Sequence, residues 1–571
     1  DPMVNGGLLT LSGSLSNEAG NITIGGGKLS VSGPVSTGTG AWLAGTVAGG
    51  KGTIAIENGA DIQLNSSLIV GDASGAEGAI TISGGSLTNV APAASSNFEI
   101  GRAGYGSMQM SGGTGKVNSF YVGGGAGLGV ASITGGSFFS GAGGAEYLLV
   151  GGVSSGKGVL TVNGGFLKHS GNRLISVNNN SDGRGELNLL AGTLDNTGGG
   201  IGYGYNSGPG TGTGIVNLNG GTLMLNRFVN TKSGAEPLLT GNAHLNLNGA
   251  TIIASPSTLG SPGLSFSSSL IPARMQVYIN GPFGLFNGGA IIDTADQNCL
   301  VESPLLAPTG DGISALTVAD GGSGYIGAPY VAIIGDGTGA AAIANMIPDG
   351  AGGLKVGSIT VCNPGINYTT AGTSFSFEGG APSVPATPGA ATTTPNTSGG
   401  LIKSGAGRLT LAATNSYTGP TLVNSGTLRV NGILDGGSAV TVGGSGALGG
   451  IGVIGGIVTI QNEGMLAPGA DVPGTLTINN TLNLSAGSTT LMRVDASAAT
   501  SDKVEGVTTA NYGGSLVVSN TTGTLTVGQT FQLFSAVNKN GNFTQVKGAN
   551  GSAWTFDPNT GIATVTGVVA T

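Results

Sequence analysis

Charge is what this chain most conspicuously lacks. Only 8% of its 571 residues are Asp, Glu, Lys or Arg, where about 25% is usual in soluble domains. The 19 Lys and Arg stand against 27 Asp and Glu, a net charge of −8. No basic stripe is present to neutralise phosphates, so nucleic acid is excluded as a partner. Histidine occurs twice, at His169 and His244, each in or beside a strand-like stretch with no Cys or His next to it. No metal site and no cofactor are therefore expected. The two cysteines, Cys299 and Cys362, are too few for a disulfide framework. In an oxidising compartment they form one bridge; in a reducing one they are two buried thiols. No apolar run approaches the ~18 residues that span a bilayer, so no membrane insertion is expected.

What the chain has in excess is glycine, 115 residues against a usual share of about 7%. Glycine shows no three-residue period, which excludes a collagen-like chain. With 39% hydrophobic residues and a mean hydropathy of +0.25, the composition is not that of a disordered chain. Short apolar strands joined by many tight turns remain.

A repeat organises these strands. NITIGGGKLSV from Asn21, TIAIENGADIQL from Thr53, AITISGGSLTN from Ala79, SMQMSGGTGKV from Ser107, VLTVNGGFLKH from Val159 and IVNLNGGTLML from Ile215 share a strand–glycine–strand pattern. The glycines that open these units, from Gly52 to Gly214, lie 26, 28, 23, 29, 27 and 29 residues apart. A third strand ending in glycine sits between many units: SLIVG, NFEIG, SFYVG and YLLVG. Within strands apolar residues alternate, as in Ile80 and Ile82, Met108 and Met110, Val216 and Leu218. A period of two marks one face buried and one exposed. A unit this short cannot bury its own face, so it must stack on its neighbours as a solenoid does. Low charge follows, because like charges opposed in adjacent strands repel.

From Gly400 the text changes. KSGAGRLTL from Lys403, NSYTG from Asn415, GTL from Gly426, MLAPG from Met465, SDKV from Ser501 and FQLF from Phe531 together resemble the autotransporter-associated β-strand repeat, also called the passenger-associated transport repeat. The likeness covers roughly residues 400–545, and GGAIIDT from Gly288 resembles the segment that often precedes it. This resemblance implies an all-β, right-handed parallel β-solenoid exported across the envelope and displayed outside the cell. It implies no particular activity. The start at Asp1-Pro2-Met3-Val4 fits a chain from which a leader has been removed, and equally one simply trimmed at that point. Through Thr571 no C-terminal barrel of long amphipathic strands follows. A product free of the membrane is expected, its translocator cleaved off or separate.

Between the halves lies text of another character. ISALTVADGGSGYIGAPYVAI from Ile313 is similar to VGSITVCNPGINYTTAGTSFSF from Val356, with Tyr325 and Tyr368 at matching places. A small inserted β domain with two similar halves is expected, followed by a linker-like run over residues 381–400. The organisation read here is a glycine-rich solenoid over 1–305, the inserted domain and linker over 306–398, and a repeat-bearing solenoid over 399–571. A bridge between Cys299 and Cys362 would pin the insertion to the solenoid.

Signals of chemistry are weak. Asp293 and Asp296 are the nearest approach to the paired carboxylates of a glycosidase. The G-x-S-x-G string around Ser154 and the GGGAGLG run from Gly123 lie in glycine loops, with neither the strand–helix elbow nor the helix that such motifs need. The turns around Asp311 and Asp336 read as hairpins before calcium loops. The chain is thus read as no enzyme but a secreted structural protein, extracellular or at the cell surface. The leading expectation is a head-to-tail homopolymer joined through uncapped solenoid ends, with Val4, Leu8, Leu9, Val565, Val568 and Val569 as subunit contacts. About seventeen rungs at ~4.8 Å would make a solenoid on the order of 80 Å long. The alternative is a monomeric adhesin that binds extracellular glycans or other surface proteins through Tyr325 and Tyr368.

Overall fold

The computed structural model describes residues 3–17, 20–37, 40–89, 96–141, 147–152, 155–170, 174–178, 182–203, 212–229, 243–256, 269–273 and 275–568. Every regular element among them is a β-strand. Forty-seven strands form one continuous sheet whose pairings are almost all parallel, each strand matching the equivalent strand of the next unit.

The register makes the repeat physical. Lys51 lies opposite Glu77, Glu77 opposite Tyr105, Tyr105 opposite Leu128, and so on through Lys157 and Arg184 to Thr213. The alternating residues therefore stack into columns. Ile54, Ile80, Met108, Ala131, Leu160, Leu187, Val216 and Leu245 form one interior column, all buried in a single core that runs the length of the solenoid. Removing one member, as in Leu160→Ala, would cost about 2–5 kcal/mol, because stacked neighbours above and below cannot collapse into the gap.

The third strand of each unit closes the turn at a glycine corner. Gly71, Gly101, Gly123 and Gly151 follow Val70, Ile100, Val122 and Val150, with φ of 75°, 73°, 69° and 83°. At Gly123 a Cβ would lie 2.2 Å from the Lys157 carbonyl oxygen of the next rung. Glycine is needed there for both the left-handed backbone and the close approach.

In the C-terminal half, the motif residues meet. Lys403 is fully buried, and its Nζ donates to the carbonyls of Ser404, Gly405 and Ser425 at 2.7, 2.8 and 3.0 Å. Desolvation pulls its pKa down to about 8. Arg493 donates from Nε to Asp502 Oδ2 at 2.9 Å and from its other nitrogens to the carbonyls of Pro468 and Ala470. Asp502 accepts further bonds from the Arg493 and Gly474 amides. One guanidinium thus ties the MLAPG and SDKV segments together.

At the C-terminal end two expectations fail, that of a bare end and that of Val565 as a subunit contact. The last rung is capped. The strands Thr530–Gln532, Ile562–Gly567 and Ala553–Asp557 form an antiparallel sheet, set against the parallel ladder. Tyr512, Phe534, Phe543 and Phe556 interlock there with ring centroids 5.1–5.9 Å apart. Val565 is buried opposite Trp554 and is no surface contact, whereas Val568 is exposed and Val569 lies outside the described residues. At the other end, among the described residues, the Met3–Leu11 strand pairs only with Ile22–Val31. Val4 is buried against that neighbour's register, while Leu8 and Leu9 are exposed.

The chain between Leu306 and Leu401 leaves the ladder. Asp311–Asp320 and Thr387–Pro395 pair as one antiparallel ribbon, and four further strands between Tyr330 and Glu378 form an antiparallel sheet. This intervening segment has its own core, in which Ile313, Val331, Phe375, Tyr325 and Tyr368 meet. The linker-like run is a strand over much of its length. Its Thr-rich text pairs with Asp311–Asp320, and threonine, being β-branched, suits an extended ribbon.

Candidate binding cleft between the solenoid flank and the intervening segment

The intervening segment does not project from the solenoid. It folds back along the outer face of the sheet that contains Lys51–Ile56, Glu77–Ile82, Tyr105–Met110, Leu128–Ile133, Arg184–Asn196 and Thr213–Leu218. Alternation places three columns on that outer face. One begins at Lys51 and passes Tyr105 and Lys157 to Arg184; the next holds Ser107, Val130, Val159, Glu186, Ile215 and His244; the third holds Thr81, Gln109, Ser132, Thr161, Asn188, Asn217 and Asn246.

Contacts from these columns, and from Asn219 just beyond them, hold the segment over many rungs. Lys51 Nζ donates to the Ala381 carbonyl at 2.6 Å, and the Tyr105 hydroxyl donates to the Ala328 carbonyl at 2.8 Å. Lys157 pairs with Glu378 at 2.7 Å, Arg184 donates to the Ala340 carbonyl at 2.8 Å, and Asn219 donates to the Cys362 carbonyl at 2.5 Å. A Cβ on Gly379 would lie 2.2 Å from the Tyr105 ring. That glycine lets the segment's backbone rest on the aromatic face. Tyr105, Val130, Val159, Tyr330 and Ala332 form a separate apolar cluster across the joint.

At the centre of the joint Glu186 is buried. Its Oε1 accepts from Arg184 Nε at 2.5 Å and from the Tyr330 hydroxyl at 3.3 Å. Burial and the neighbouring Glu186 carboxylate both push the Tyr330 pKa up, so the phenol stays a donor. Beside it the third column becomes a buried ladder. Asn246 donates to Asn217 at 2.8 Å, Asn217 to Asn188 at 2.7 Å, and Asn188 to Thr161 at 3.4 Å. Such a chain satisfies amides that burial would otherwise penalise.

Where the segment lifts away from the flank, a cleft of about 200 Å³ opens. Its floor is Thr81, Gln109 and Ser132, the continuation of the asparagine column. Its walls include Val130, Ile326, Ile343 and Met346. Among the described residues no charged side chain lines it.

The residues singled out from sequence are placed otherwise. Tyr325 and Tyr368 are buried in the segment's core. The Tyr325 hydroxyl accepts from the Ala386 amide at 2.7 Å, and burial raises the pKa of both phenols. They form no ligand face; their matching positions reflect equivalent packing roles. Cys299 and Cys362 are free, buried thiols, so the bridge left open by the sequence is not formed. Cys299 packs in the solenoid core opposite Leu409, whereas Cys362 lies at the joint. Burial pushes the Cys299 thiol up to about 11 and the Cys362 thiol higher, which leaves both unreactive.

Asp293 Oδ1 accepts from the Ala295 amide at 2.7 Å, and Asp296 contacts Gln297. Both carboxylates thus serve one turn. Asp336 accepts from the Thr369 amide and hydroxyl at 2.9 and 2.6 Å and so ties two loops of the segment together. His169 is buried with Nδ1 3.0 Å from Ser140 Oγ, and His244 stacks on Tyr278. Among the described residues no three His, Cys, Asp or Glu side chains gather as a metal site would require. Ser154 lies outside the described residues.

Sequence reasoning missed the joint itself. A signal existed: Val159-Leu160 and Ile215-Val216 put apolar residues on both faces of their strands, the mark of a sheet covered on both sides.

Residues 401–430 match the passenger-associated-transport-repeat family. These include the buried Lys403 and the Leu409, Leu411, Leu428 and Val430 core positions. No curated protein matches the chain. Among the described residues no helix is long and apolar enough to cross a membrane. The chain carries a passenger-associated transport repeat within a parallel β-solenoid, and this repeat points to a surface protein of the autotransporter-passenger type.

Proposed function

We propose that the chain is a non-enzymatic structural element of an extracellular bacterial surface, a stiff solenoid that builds a layer or fibre with further copies of itself. The observation that carries this reading is the continuous parallel ladder with a single apolar core along its length. Rigidity of that kind suits a scaffold, and the acidic residues that resemble a catalytic pair are engaged in a local turn.

Self-assembly is supported at the first rung. Among the described residues, the outer edge of Met3–Leu11 takes no strand partner, and Met3 and Leu8 are exposed there. Unpaired N–H and C=O groups on such an edge template another strand. The capped opposite end changes the geometry expected from sequence, since a joint between two bare ends is not available. A joint between two first-rung edges is two-fold and closes at a dimer; a joint from this edge to another surface propagates.

Negative-stain electron microscopy over a concentration series tests the reading. Fibres or sheets are the expected result, and they would disappear on replacing Leu8 by Lys. End-to-end pairs that never lengthen would limit assembly to a dimer and overturn the fibre. Uniform single rods at every concentration would overturn self-assembly and favour the monomeric adhesin.

A further inference from the structure

We propose that the cleft beneath the intervening segment is a binding site for a neutral, extended oligosaccharide. The inference does not depend on self-assembly, since single rods would present the same cleft.

Three features select this ligand class. The first is neutrality. Among the described residues the lining contains hydroxyls, amides and apolar groups but no Asp, Glu, Lys, Arg or His, so an anionic glycan or a charged peptide would enter without a counter-charge. Burying such a charge unpaired is costly.

The second is the polar floor. The Asn246–Asn217–Asn188–Thr161 ladder is bonded within itself. The same column then continues into the cleft as Ser132, Gln109 and Thr81. Among the described residues these three side chains make no hydrogen bond, and Gln109 and Thr81 are exposed. They offer donors and acceptors at one per rung, a spacing of ~4.8 Å. That spacing is close to the advance of one pyranose ring in an extended glycan, so successive rungs can meet successive hydroxyls.

The third is the wall. Val130, Ile326, Ile343 and Met346 present apolar surface beside the polar floor. A pyranose has the same division, with C–H faces and hydroxyl edges. A few placed polar groups in a mainly apolar recess is the common form of a small-ligand site. A peptide strand would instead require an open backbone edge, and the floor is the face of a sheet whose strands are paired on both sides.

Isothermal titration of the whole chain with cellohexaose, chitohexaose and laminarihexaose tests the assignment, with a hexagalacturonate and a neutral hexapeptide as comparators. At least one neutral hexaose is expected to bind and the comparators not. Gln109→Ala, on an exposed side chain, should weaken that binding about fivefold to tenfold by loss of a hydrogen bond. Ser132→Trp, which fills the floor, should abolish it while thermal melting stays unchanged. Leu285→Ala, on an exposed loop outside the cleft, should leave it intact. Binding of no neutral hexaose, binding that Ser132→Trp does not affect, or preference for the hexagalacturonate or the peptide would each overturn the proposal.

Discussion

The Tyr330 hydroxyl lies 3.3 Å from Glu186 Oε1, so a phenol from the intervening segment and a carboxylate from the solenoid flank share one buried hydrogen bond. Glu186 also pairs with Arg184, which reaches across to the Ala340 carbonyl. The three side chains therefore act as a unit. Glu186→Ala should destabilise the chain by about 3 kcal/mol, because it strands a mostly buried guanidinium. Tyr330→Phe should cost about 1 kcal/mol, the worth of one hydrogen bond. Urea unfolding followed by circular dichroism measures both. Equal, negligible losses would mean that the joint does not rest on this pair.

The C-terminal cap makes a second prediction. Phe534 touches Tyr512, Phe543 and Phe556 at once. Phe534→Ala should cost about 3–5 kcal/mol. The opened end should also raise light scattering on warming, which a substitution at mid-solenoid would not do to the same degree. Differential scanning calorimetry with parallel light scattering would show whether the two effects travel together.

Lys403 predicts a pH dependence with a definite sign. Its folded pKa is about 8 against an ordinary value of 10.5. Between these values the unfolded chain holds a proton that the folded chain has released, so stability contributed at this position rises with pH. Below pH 8 both states carry the proton, and above 10.5 neither does. Melting temperature of the native chain, compared with that of Lys403→Met, should therefore increase from pH 8 to 10.5. A flat difference across this window would contradict the desolvated amine.

Gly123→Ala should be poorly tolerated. The backbone at this corner has φ of 69°, and the added methyl would meet the Lys157 carbonyl of the next rung. The expected loss exceeds ~1 kcal/mol, the amount by which Ala would stabilise a compatible site being reversed and enlarged. Thermal melting of the purified variant checks it, with Gly49→Ala as a comparison where φ is similar but nothing lies within 4 Å.

The ladder was legible because its physics is local. Ile80 and Ile82 declare a buried face by their spacing, and the glycine after Val122 declares a corner. The motif around Lys403 declares its repeat. Pairing across distance left fainter marks. Tyr325 and Tyr368 recur at matching places whether they bind a ligand or fill a core, and only packing separates the two. Val159 and Ile215 did break the alternation, yet nothing near them in sequence names Tyr330 or Ala332 as their cover. The C-terminal hairpin had a readable turn in Asp557-Pro558-Asn559-Thr560-Gly561, which the regular strand text on either side obscured.

The segment that lies along the flank from Lys51 to Asn280 has a mechanical consequence. A bare solenoid twists and bends by small rotations between neighbouring rungs. A splint fastened to many rungs must slide or stretch before those rotations can add up. The half before Leu306 should thus behave as the torsionally stiff shaft, and compliance should concentrate beyond Gly400, where only stacked rungs resist a couple applied to the rod.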